Sequence, residues 1–258
     1  MVHFVGAGPG AVDLISVRGM RLLQQADVIV YAGSLVNPAL LKYAGKDAEI
    51  YNSAFMTLEE VEEVMQDAVR KGKEVVRLHT GDPAIYGAIR EQMDALEEAG
   101  IAYDTCPGIS ACFGAAAALN LEFTLPGVSQ TLIITRLSGK TEVPAPEEVR
   151  LLASHHASMA IYLSAGMTER LSEELIGGGY APDTPAAIVY KATWEEEKRV
   201  ICTVGTLQEA AAKENITKTA VVLIGDAIAH TGYERSKLYD PAFSTAFRKA
   251  ASERKEEA

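Results

Sequence analysis

Three loops rich in glycine and other small residues carry the clearest chemical signal in this sequence. They are GAGPG (6–10), HTGDPAIYG (79–87) and CPGISA (106–111), and the first two directly follow apolar runs. Glycine lets the backbone turn tightly and approach a ligand closely, so that main-chain N–H and C=O groups can supply the polar contacts. Such loops are typical of a site that binds a compact polar ligand through its main chain.

The first loop formally fits two nucleotide-binding patterns. Gly6, Gly8 and Ala11 match the G-x-G-x-x-G/A pattern of dinucleotide-binding proteins, and GAGPG also fits the glycine loop of Rossmann-like methyltransferases. A dinucleotide site also needs a helix that starts at once and an acid at the end of the next strand. Here we predict a helix only from Ser16, and Asp27 begins the strand, more than about 13 Å from the ligand edge. An NAD(P)-dependent oxidoreductase fails this requirement, but it stays an alternative from another class of function.

Strands and helices alternate along the chain in the way that is typical of an α/β protein. Apolar runs predict strands at residues 2–5, 28–31, 74–78, 131–135, 159–163, 186–190 and 220–224. Helical periodicity predicts helices at 57–71, 88–99, 110–119 and 167–176. Since open α/β sheets bind ligands outside the carboxyl ends of their strands, the small-residue loops all lie at the expected ligand edge.

The composition divides the chain into two α/β domains. NLEFTLPGVSQ (120–130) interrupts the alternation with proline, glycine and polar residues, so we predict an N-terminal domain at 1–120 and a C-terminal domain at 121–230. An extension at 231–258 follows, and we expect 254–258 to be disordered. A ligand cleft between the two domains would combine the loops of both.

Charge and cysteine content exclude several classes of function. The 258 residues carry 24 Lys and Arg against 35 Asp and Glu, a formal net charge of −11, which argues against general nucleic-acid binding. We find neither a run of about 18 apolar residues nor a signal peptide, and we predict a cytoplasmic protein without membrane contact. The three cysteines form no CxxC pair, which suits a reducing compartment, and no residue cluster predicts a metal site.

Two linked motifs resemble the tetrapyrrole methylases, a family that includes uroporphyrinogen III and precorrin methyltransferases. GAGPG followed by LISVRG (14–19) resembles the first family signature, and VVRLHTGDPAIYG (75–87) with CPGISA resembles the second. The group that methylates carbon 11 of precorrin-4 is most similar in YAGSLVNP (31–38), TLIITR (131–136), VYKATW (189–194) and ERSKLYD (234–240). The resemblance implies two α/β domains, S-adenosylmethionine (SAM) bound between them, and a homodimer.

The same resemblance implies which residues hold the cofactor. The positions that match the family's contacts are Pro9, Thr80, Gly81, Asp82, Ile85, Tyr86, Ser110, Ala111, Leu163 and Ala192. The last two lie where the Tyr-Met-Gly and Asn-Gly-Thr stretches of some relatives are replaced by Tyr-Leu-Ser and Lys-Ala-Thr. Asp82 is the candidate carboxylate for the surroundings of a positively charged sulfonium.

The chemistry that the resemblance implies is direct displacement, in which an electron-rich carbon of precorrin-4 or its cobalt complex takes the methyl group of SAM. Positioning and exclusion of water are then the main contributions of the enzyme, and we assign no general acid or base. The carboxylates of a tetrapyrrole need basic partners in an acidic protein. The candidates are Arg136 first, then Arg77, His79, Arg90, Arg235 and Lys237. Another precorrin carbon, uroporphyrinogen III, or the protein side chain that diphthine synthase modifies stay open as acceptors.

Overall fold

The structure is a computed structural model that describes residues 1–251, and its strands form two five-stranded sheets. The first sheet contains β1 (Val2–Gly6), β2 (Val28–Tyr31), β3 (Glu49–Asn52), β4 (Val75–His79) and β5 (Tyr103–Cys106). The second contains β6 (Leu132–Arg136), β7 (Ser158–Tyr162), β8 (Pro185–Tyr190), β9 (Lys198–Thr203) and β10 (Ala220–Ile224). The α-helices are α1 (Val17–Gln25), α2 (Leu58–Arg70), α3 (Arg90–Glu98), α4 (Ala111–Ala118), α5 (Val149–Ala153), α6 (Thr168–Gly177) and α7 (Leu207–Lys213). The predicted α/β class is confirmed.

The first sheet is parallel throughout, in the order β3-β2-β4-β1-β5. Strands β4, β1 and β5 are therefore neighbours, and their carboxyl ends lie side by side. The chain leaves these ends at Gly6, His79 and Cys106, at the start of the three small-residue loops. Loops that are about 70 and 100 residues apart in sequence thus meet at one edge of the sheet because of the strand order alone.

The inner strands of the first sheet, β1, β2 and β4, are buried on both faces. Val5 belongs to a hydrophobic cluster with Leu23 of α1, while its neighbour Phe4 belongs to a second cluster with Met65 of α2 and Leu96 of α3. Successive side chains of a strand point to opposite faces, so both positions are apolar when helices cover both faces. This is why the inner strands of the sheet were predictable as continuous apolar runs.

The helix ends confirm the signals in the sequence. Thr57 and Glu60 form the predicted capping box at the start of α2, each side chain accepting the other residue's backbone N–H. Ser16 caps α1, and its Oγ accepts the N–H of Gly19 at 3.0 Å. Gly72 follows α2 with φ of +75°, a conformation that favours glycine at a helix end.

The second sheet has the order β6-β7-β10-β8-β9 and is mixed. Strand β7 is parallel to β6 but antiparallel to β10. The alternation of strands and helices along the sequence predicts mostly parallel sheets. The first sheet confirms this prediction, whereas the second contains at least one antiparallel pair. Apolar strand composition cannot separate the two arrangements, because β10 is buried along its whole length in either case.

The chain divides into two compact units. The first holds Met1–Asn120, Ile188–Val200 and Asn215–Val221, and the second holds Leu121–Ala187, Ile201–Glu214 and the chain from Val222 onward. The domain limits at residues 120 and 230 stay predictions. In the extension, residues 231–251 include one short 3₁₀ helix, Lys237–Tyr239, and the predicted disordered tail lies outside the described residues. Within residues 1–251 no helix is both long enough and apolar enough to cross a membrane.

Candidate functional site

The loops after β1 and β4 are joined through their backbones. The N–H of Gly8 donates to the carbonyl of Gly81 at 3.2 Å, and the N–H of Gly81 donates to the carbonyl of Gly8 at 2.8 Å. Both residues have positive φ values, +79° and +59°, which a Cβ atom makes unfavourable. Glycine is therefore the favoured residue at both positions of this loop pairing.

The loop after β5 approaches the same pair of loops closely. A Cβ on Gly6 would lie 2.5 Å from the nitrogen of Gly108, and a Cβ on Gly108 would lie 2.2 Å from the carbonyl oxygen of Gly81. The atoms approached are backbone atoms, which cannot rotate away as a side chain can. We call Gly6, Gly8, Gly81 and Gly108 the glycine junction.

Asp82 ties two loops of the junction together. Its Oδ2 accepts the N–H of Gly108 at 2.9 Å, and its Oδ1 accepts the N–H of Ala84 at 2.9 Å. The first bond crosses from the β4 loop to the β5 loop, and the second shapes the turn that follows Asp82. The carboxylate thus orients main-chain groups and places a negative charge beside the junction.

The other predicted residues of the first unit cluster around the same junction. Ser110 is the buried residue that directly precedes α4, and a Cβ on Gly81 would lie 3.5 Å from both the Cα of Ser110 and the nitrogen of Ala111. The N–H of Ile85 donates to the carbonyl of Asp82 at 3.2 Å. Thr80 directly precedes the junction, and Tyr86 lies in the same loop with φ of +56°. The structure therefore brings these predicted residues together.

Several contacts hold the outer part of the first loop, and some of them come from residues that the sequence analysis missed. Pro9 packs against α4 at Gly114, where an added Cβ would lie 2.7 Å from the proline Cβ. The side-chain amide of Asn37 donates to the carbonyl of Gly10 at 2.9 Å. Thr193 and Trp194, which follow the buried Ala192, make two further hydrogen bonds with this loop. Asn37 could have been noticed as a cap, because it precedes the Pro38 that begins a short helix.

The first loop lacks both further features of a dinucleotide site. Helix α1 begins only at Val17, after the cap at Ser16. Asp27 lies at the amino end of β2, where its Oδ2 accepts the N–H of Glu74 at 2.9 Å. The carboxyl end of β2 is Tyr31, followed by Ala32, so no acid is available there to bind a ribose. The predicted positions of the helix start and of Asp27, on which the argument against an NAD(P) site depends, are confirmed.

Comparison with known proteins decides the family. Residues 1–208 match the family model described as "Tetrapyrrole (Corrin/Porphyrin) Methylases". The chain is a tetrapyrrole methylase. The resemblance predicted from the glycine loops is therefore confirmed. The matched residues include both motifs on which that resemblance depends.

Relatives of this methylase match it over nearly their whole length. The cobalt-precorrin-4 C(11)-methyltransferase of Methanocaldococcus jannaschii is 51% identical, with 96% of each chain covered. The precorrin-4 C(11)-methyltransferase of Pseudomonas aeruginosa is 43% identical, with 92% of this chain and 94% of the relative covered. The solved structure of a cobalt precorrin-4 methyltransferase superposes with a TM-score of 0.86 at 46% identity, covering 88% of this chain and 95% of the other.

Two predicted contacts of the methylase belong to its second unit. Leu163 directly follows β7, is 61% exposed and has φ of +53°. Arg136 ends β6, and its guanidinium donates to the carbonyls of Leu137, Thr141 and Glu142 at 2.9 to 3.1 Å. Arg136 thus uses its donors to close the loop that follows its own strand.

The remaining basic residues of the methylase differ in their surroundings. Arg90 is ion-paired along α3 with Asp94 and Glu97. Arg235 and Lys237 are exposed in the extension. These three side chains reach solvent, and the last two have the freedom to turn toward an acidic ligand. Among the described residues, no three His, Cys, Asp or Glu side chains come together as metal ligands.

Arg77 and His79 lie inside the protein rather than at the ligand edge. Arg77 donates from Nε to Gln92 Oε1 at 2.9 Å, and burial lowers its pKa to about 10. His79 stacks on Phe4, and among the described residues its Nε2 has no hydrogen-bond partner. Burial, and then the nearby charge of Arg77, lower the pKa of His79 to about 3. A neutral, enclosed imidazole offers no positive charge to a carboxylate.

His79 is expected to make this methylase less stable in mild acid. The unfolded state takes up a proton near pH 6.5, whereas the folded state resists protonation down to a pH of about 3. Stability therefore falls as the pH is lowered between these values, by about 2 kcal/mol from pH 7 to pH 5. Urea unfolding at several pH values measures this slope.

The variant His79→Phe isolates the contribution of this one group. It keeps a ring against Phe4 and removes the proton, so its stability should fall by about 2 kcal/mol less than that of the wild type over the same pH range. His155→Gln, at an exposed position, is the matched control and should retain the wild-type slope. Equal slopes for His79→Phe and the wild type would contradict the buried neutral state.

Proposed function

We propose that this methylase transfers the methyl group of SAM to carbon 11 of precorrin-4 or of its cobalt complex. The observation that carries the proposal is the similarity to a cobalt-precorrin-4 and to a precorrin-4 C(11)-methyltransferase, which covers 96% of each chain in the first comparison and 92% of this chain and 94% of the relative in the second. The folded core supports it, since the three small-residue loops meet at one edge of the first sheet.

The glycine junction fits a ligand that is held by backbone groups. Side-chain bulk is missing where three loops converge, and the close approaches at Gly6 and Gly108 leave no space for any Cβ. Asp82 adds one negative charge beside the junction, which suits a cationic sulfonium. The residues proposed to hold SAM in this unit are Pro9, Thr80, Gly81, Asp82, Ile85, Tyr86, Ser110, Ala111 and Ala192. Leu163 belongs to the second unit and stays a prediction from the family resemblance.

The residues of the chain act by positioning. When bound, SAM supplies an electrophilic methyl group that a nucleophilic carbon of the acceptor can displace directly. The backbone groups of the junction orient the nucleotide, and Asp82 keeps two of those loops in register through its bonds to Gly108 and Ala84. Holding both reactants in line can supply several kcal/mol of the rate acceleration, so no general base is required of this site.

The carboxylates of the methyl acceptor need cationic partners that are not buried inside the protein. Arg235 and Lys237 are exposed and lie in the extension that resembles the precorrin-4 group. Arg136 and Arg90 stay proposed partners as well, although Arg136 already donates to backbone carbonyls and Arg90 is already paired with carboxylates of the same chain. Arg77 and His79 are buried and are not part of this proposed set.

Two measurements test the proposal. Titration with S-adenosylhomocysteine, the product form of SAM, should show micromolar binding, while NADH should not bind; the reverse result excludes the methylase site. Incubation with SAM and either precorrin-4 or cobalt-precorrin-4 should add the mass of one methyl group at carbon 11. The acceptor that is methylated faster is the natural one. A methyl group found at another carbon would show that the enzyme methylates a different precorrin position.

Asp82→Ala should weaken both the fold and the site. Loss of the carboxylate leaves the N–H groups of Gly108 and Ala84 without their acceptor, which should lower the free energy of unfolding by about 1 to 3 kcal/mol. The affinity for S-adenosylhomocysteine should fall by at least about tenfold, because 1.4 kcal/mol corresponds to that factor. Calorimetry and urea unfolding measure the two effects.

A conservative and a control variant sharpen this experiment. Asp82→Asn retains one carbonyl acceptor and should lie between the wild type and Asp82→Ala in both measurements. Asp47→Ala removes an exposed carboxylate from the connection before β3 and should change neither. Wild-type affinity in Asp82→Ala would remove Asp82 from the proposed site.

The family resemblance also implies a homodimer in the cytoplasm, and both stay predictions for this chain. Sedimentation velocity on the purified protein tests the first, with about twice the monomer mass expected.

A further inference from the structure

A turn between β8 and β9 holds the first glycine loop by two hydrogen bonds. The Oγ1 of Thr193 accepts the N–H of Ala11 at 2.9 Å, and the Nε1 of Trp194 donates to the carbonyl of Pro9 at 3.1 Å. The two bonds lie on either side of Gly10. They fix a backbone carbonyl and a backbone N–H of the loop whose Pro9 is proposed to contact SAM.

Gly10 packs directly against the side chain of Trp194. A Cβ on Gly10 would lie 2.0 Å from Cδ1 of Trp194 and 2.2 Å from its Nε1. The indole therefore rests directly on the glycine backbone, which no other residue type would permit without displacing the ring. This contact gives a structural reason for the third glycine of GAGPG, which is not one of the residues that match the dinucleotide pattern.

The turn that carries these side chains is strained. Lys191 and Thr193 have φ values of +46° and +70°, and a β-branched residue such as threonine rarely adopts this conformation. Such backbone persists only where its surroundings enforce it, and it clusters at functional sites. Here the N–H of Thr193 donates to the Glu197 carboxylate at 2.6 Å, and the Lys191 ammonium lies 5.0 Å from the Trp194 ring centre.

We propose that Thr193 and Trp194 are positioning residues, which hold the first glycine loop in the conformation that binds SAM. The inference rests on the proposed function, because it takes SAM as the ligand of this loop. Both side chains act through the main chain of Pro9 and Ala11 rather than on the reacting atoms. Their loss should therefore weaken binding of the cofactor much more than it slows the chemical step.

Intrinsic fluorescence gives a direct readout of this turn. Trp194 is the only tryptophan among the 258 residues. The whole tryptophan emission therefore reports on the indole that contacts Gly10 and Pro9. Titration of the wild type with S-adenosylhomocysteine should change this emission with the same dissociation constant that calorimetry gives. Calorimetric binding without any change in emission would contradict coupling between the cofactor and the turn.

Two pairs of variants separate the hydrogen bonds from packing. Trp194→Phe keeps an aromatic ring but lacks the N–H donor, and Thr193→Val keeps the shape but lacks the acceptor. Each should raise the dissociation constant of S-adenosylhomocysteine about fivefold, which is the usual effect of one neutral hydrogen bond. Trp194→Ala should raise it about 50-fold, because ring packing is lost as well, while Thr193→Ser keeps its acceptor and should stay within about twofold.

Steady-state kinetics and a control variant complete the test. In the affected variants the KM for SAM should rise in parallel with the dissociation constant, and kcat should fall by less than about threefold. Phe55→Ala, which removes a side chain that is 87% exposed, should match the wild type. Thermal unfolding checks each variant, and if Trp194→Ala does not fold, Trp194→Phe and the Thr193 pair decide the result.

The outcomes distinguish this inference from the proposed function. If the wild type does not bind S-adenosylhomocysteine, the cofactor assignment fails and the positioning role fails with it. If the wild type binds but Trp194→Phe and Thr193→Val bind equally well, only the positioning role is refuted. A fall in kcat with unchanged KM would also refute it, since the side chains would then act on the chemical step.

Discussion

Gly108→Ala is expected to abolish binding of S-adenosylhomocysteine and to lower the free energy of unfolding by about 3 kcal/mol. The new Cβ would lie 2.2 Å from the carbonyl oxygen of Gly81 and 2.8 Å from the Cα of Gly6. These are main-chain atoms anchored by β4 and β1, so only a displacement of the β5 loop relieves the clash. That displacement also draws the N–H of Gly108 away from Asp82, and the glycine junction opens.

Two other glycines provide controls for this clash. Gly81→Ala introduces positive-φ strain at +59°, but its Cβ would meet the nearest atoms at an ordinary 3.5 Å. We expect it to cost about 1 to 2 kcal/mol and to retain measurable binding. Gly45→Ala meets its nearest atom at 3.4 Å without a positive φ and should change stability by less than about 0.5 kcal/mol. A Gly108→Ala protein as stable as Gly81→Ala would contradict the close backbone approach.

The inner strands and the apolar edge strand β6 could be predicted from the sequence, and the other three edge strands could not. Every predicted apolar run corresponds to a strand, whereas β3, β5 and β9 were missed. Each of the three lies at the edge of its sheet and carries exposed polar residues, such as Glu49, Asp104 and Lys198. An edge strand is exposed along one side, so its sequence lacks the continuous apolar pattern that marks an inner strand.

The loops of the candidate site were predictable because small residues have few alternative uses. The rule that ligands bind at the carboxyl ends of strands located these loops. The choice of Gly81, Asp82 and Ser110 within them came from the family resemblance and stays a prediction. The contacts of Asn37, Thr193 and Trp194 with the first loop depend on which distant segments the fold places beside it. Periodicity contains no information about such contacts, and the strained backbone of Thr193 has no signature in its residue type.

Basic residues were the least predictable part of the site. Arg77 and His79 occupy alternate positions of β4, on the same face as Phe4 in the neighbouring β1, and that face is covered by α2 and α3. Their nearness to the carboxyl end of a strand suggested a ligand contact. A single sequence does not reveal that a cationic residue is enclosed, because the compensating partner lies elsewhere in the chain, here at Gln92.

Arg77→Ala is expected to lower the free energy of unfolding by about 3 to 5 kcal/mol. The guanidinium donates to Gln92 Oε1 at 2.9 Å and to the carbonyl of Val30 at 3.2 Å, and both acceptors lose their partner in the variant. The truncation also leaves a cavity next to the sheet. Burial lowers the pKa of Arg77, which reflects the cost of enclosing its charge.

A double-mutant cycle distinguishes a coupled polar pair from two independent side chains. Gln92→Leu leaves the Arg77 Nε without its acceptor and also breaks the bond from Gln92 to the Ala88 carbonyl at 2.8 Å. Arg77→Met replaces the cation by an apolar chain of similar length, and the double variant with Gln92→Leu removes both polar groups together. The double variant should therefore be more stable than the sum of the single losses predicts, by about 1 to 3 kcal/mol. Urea unfolding measures the four proteins, and additive losses would show that Arg77 and Gln92 contribute separately. If they are coupled, the same pair also secures Ala88, whose left-handed φ of +49° lies at the end of the loop that contains Gly81 and Asp82. A buried arginine would then support the proposed cofactor site without touching it.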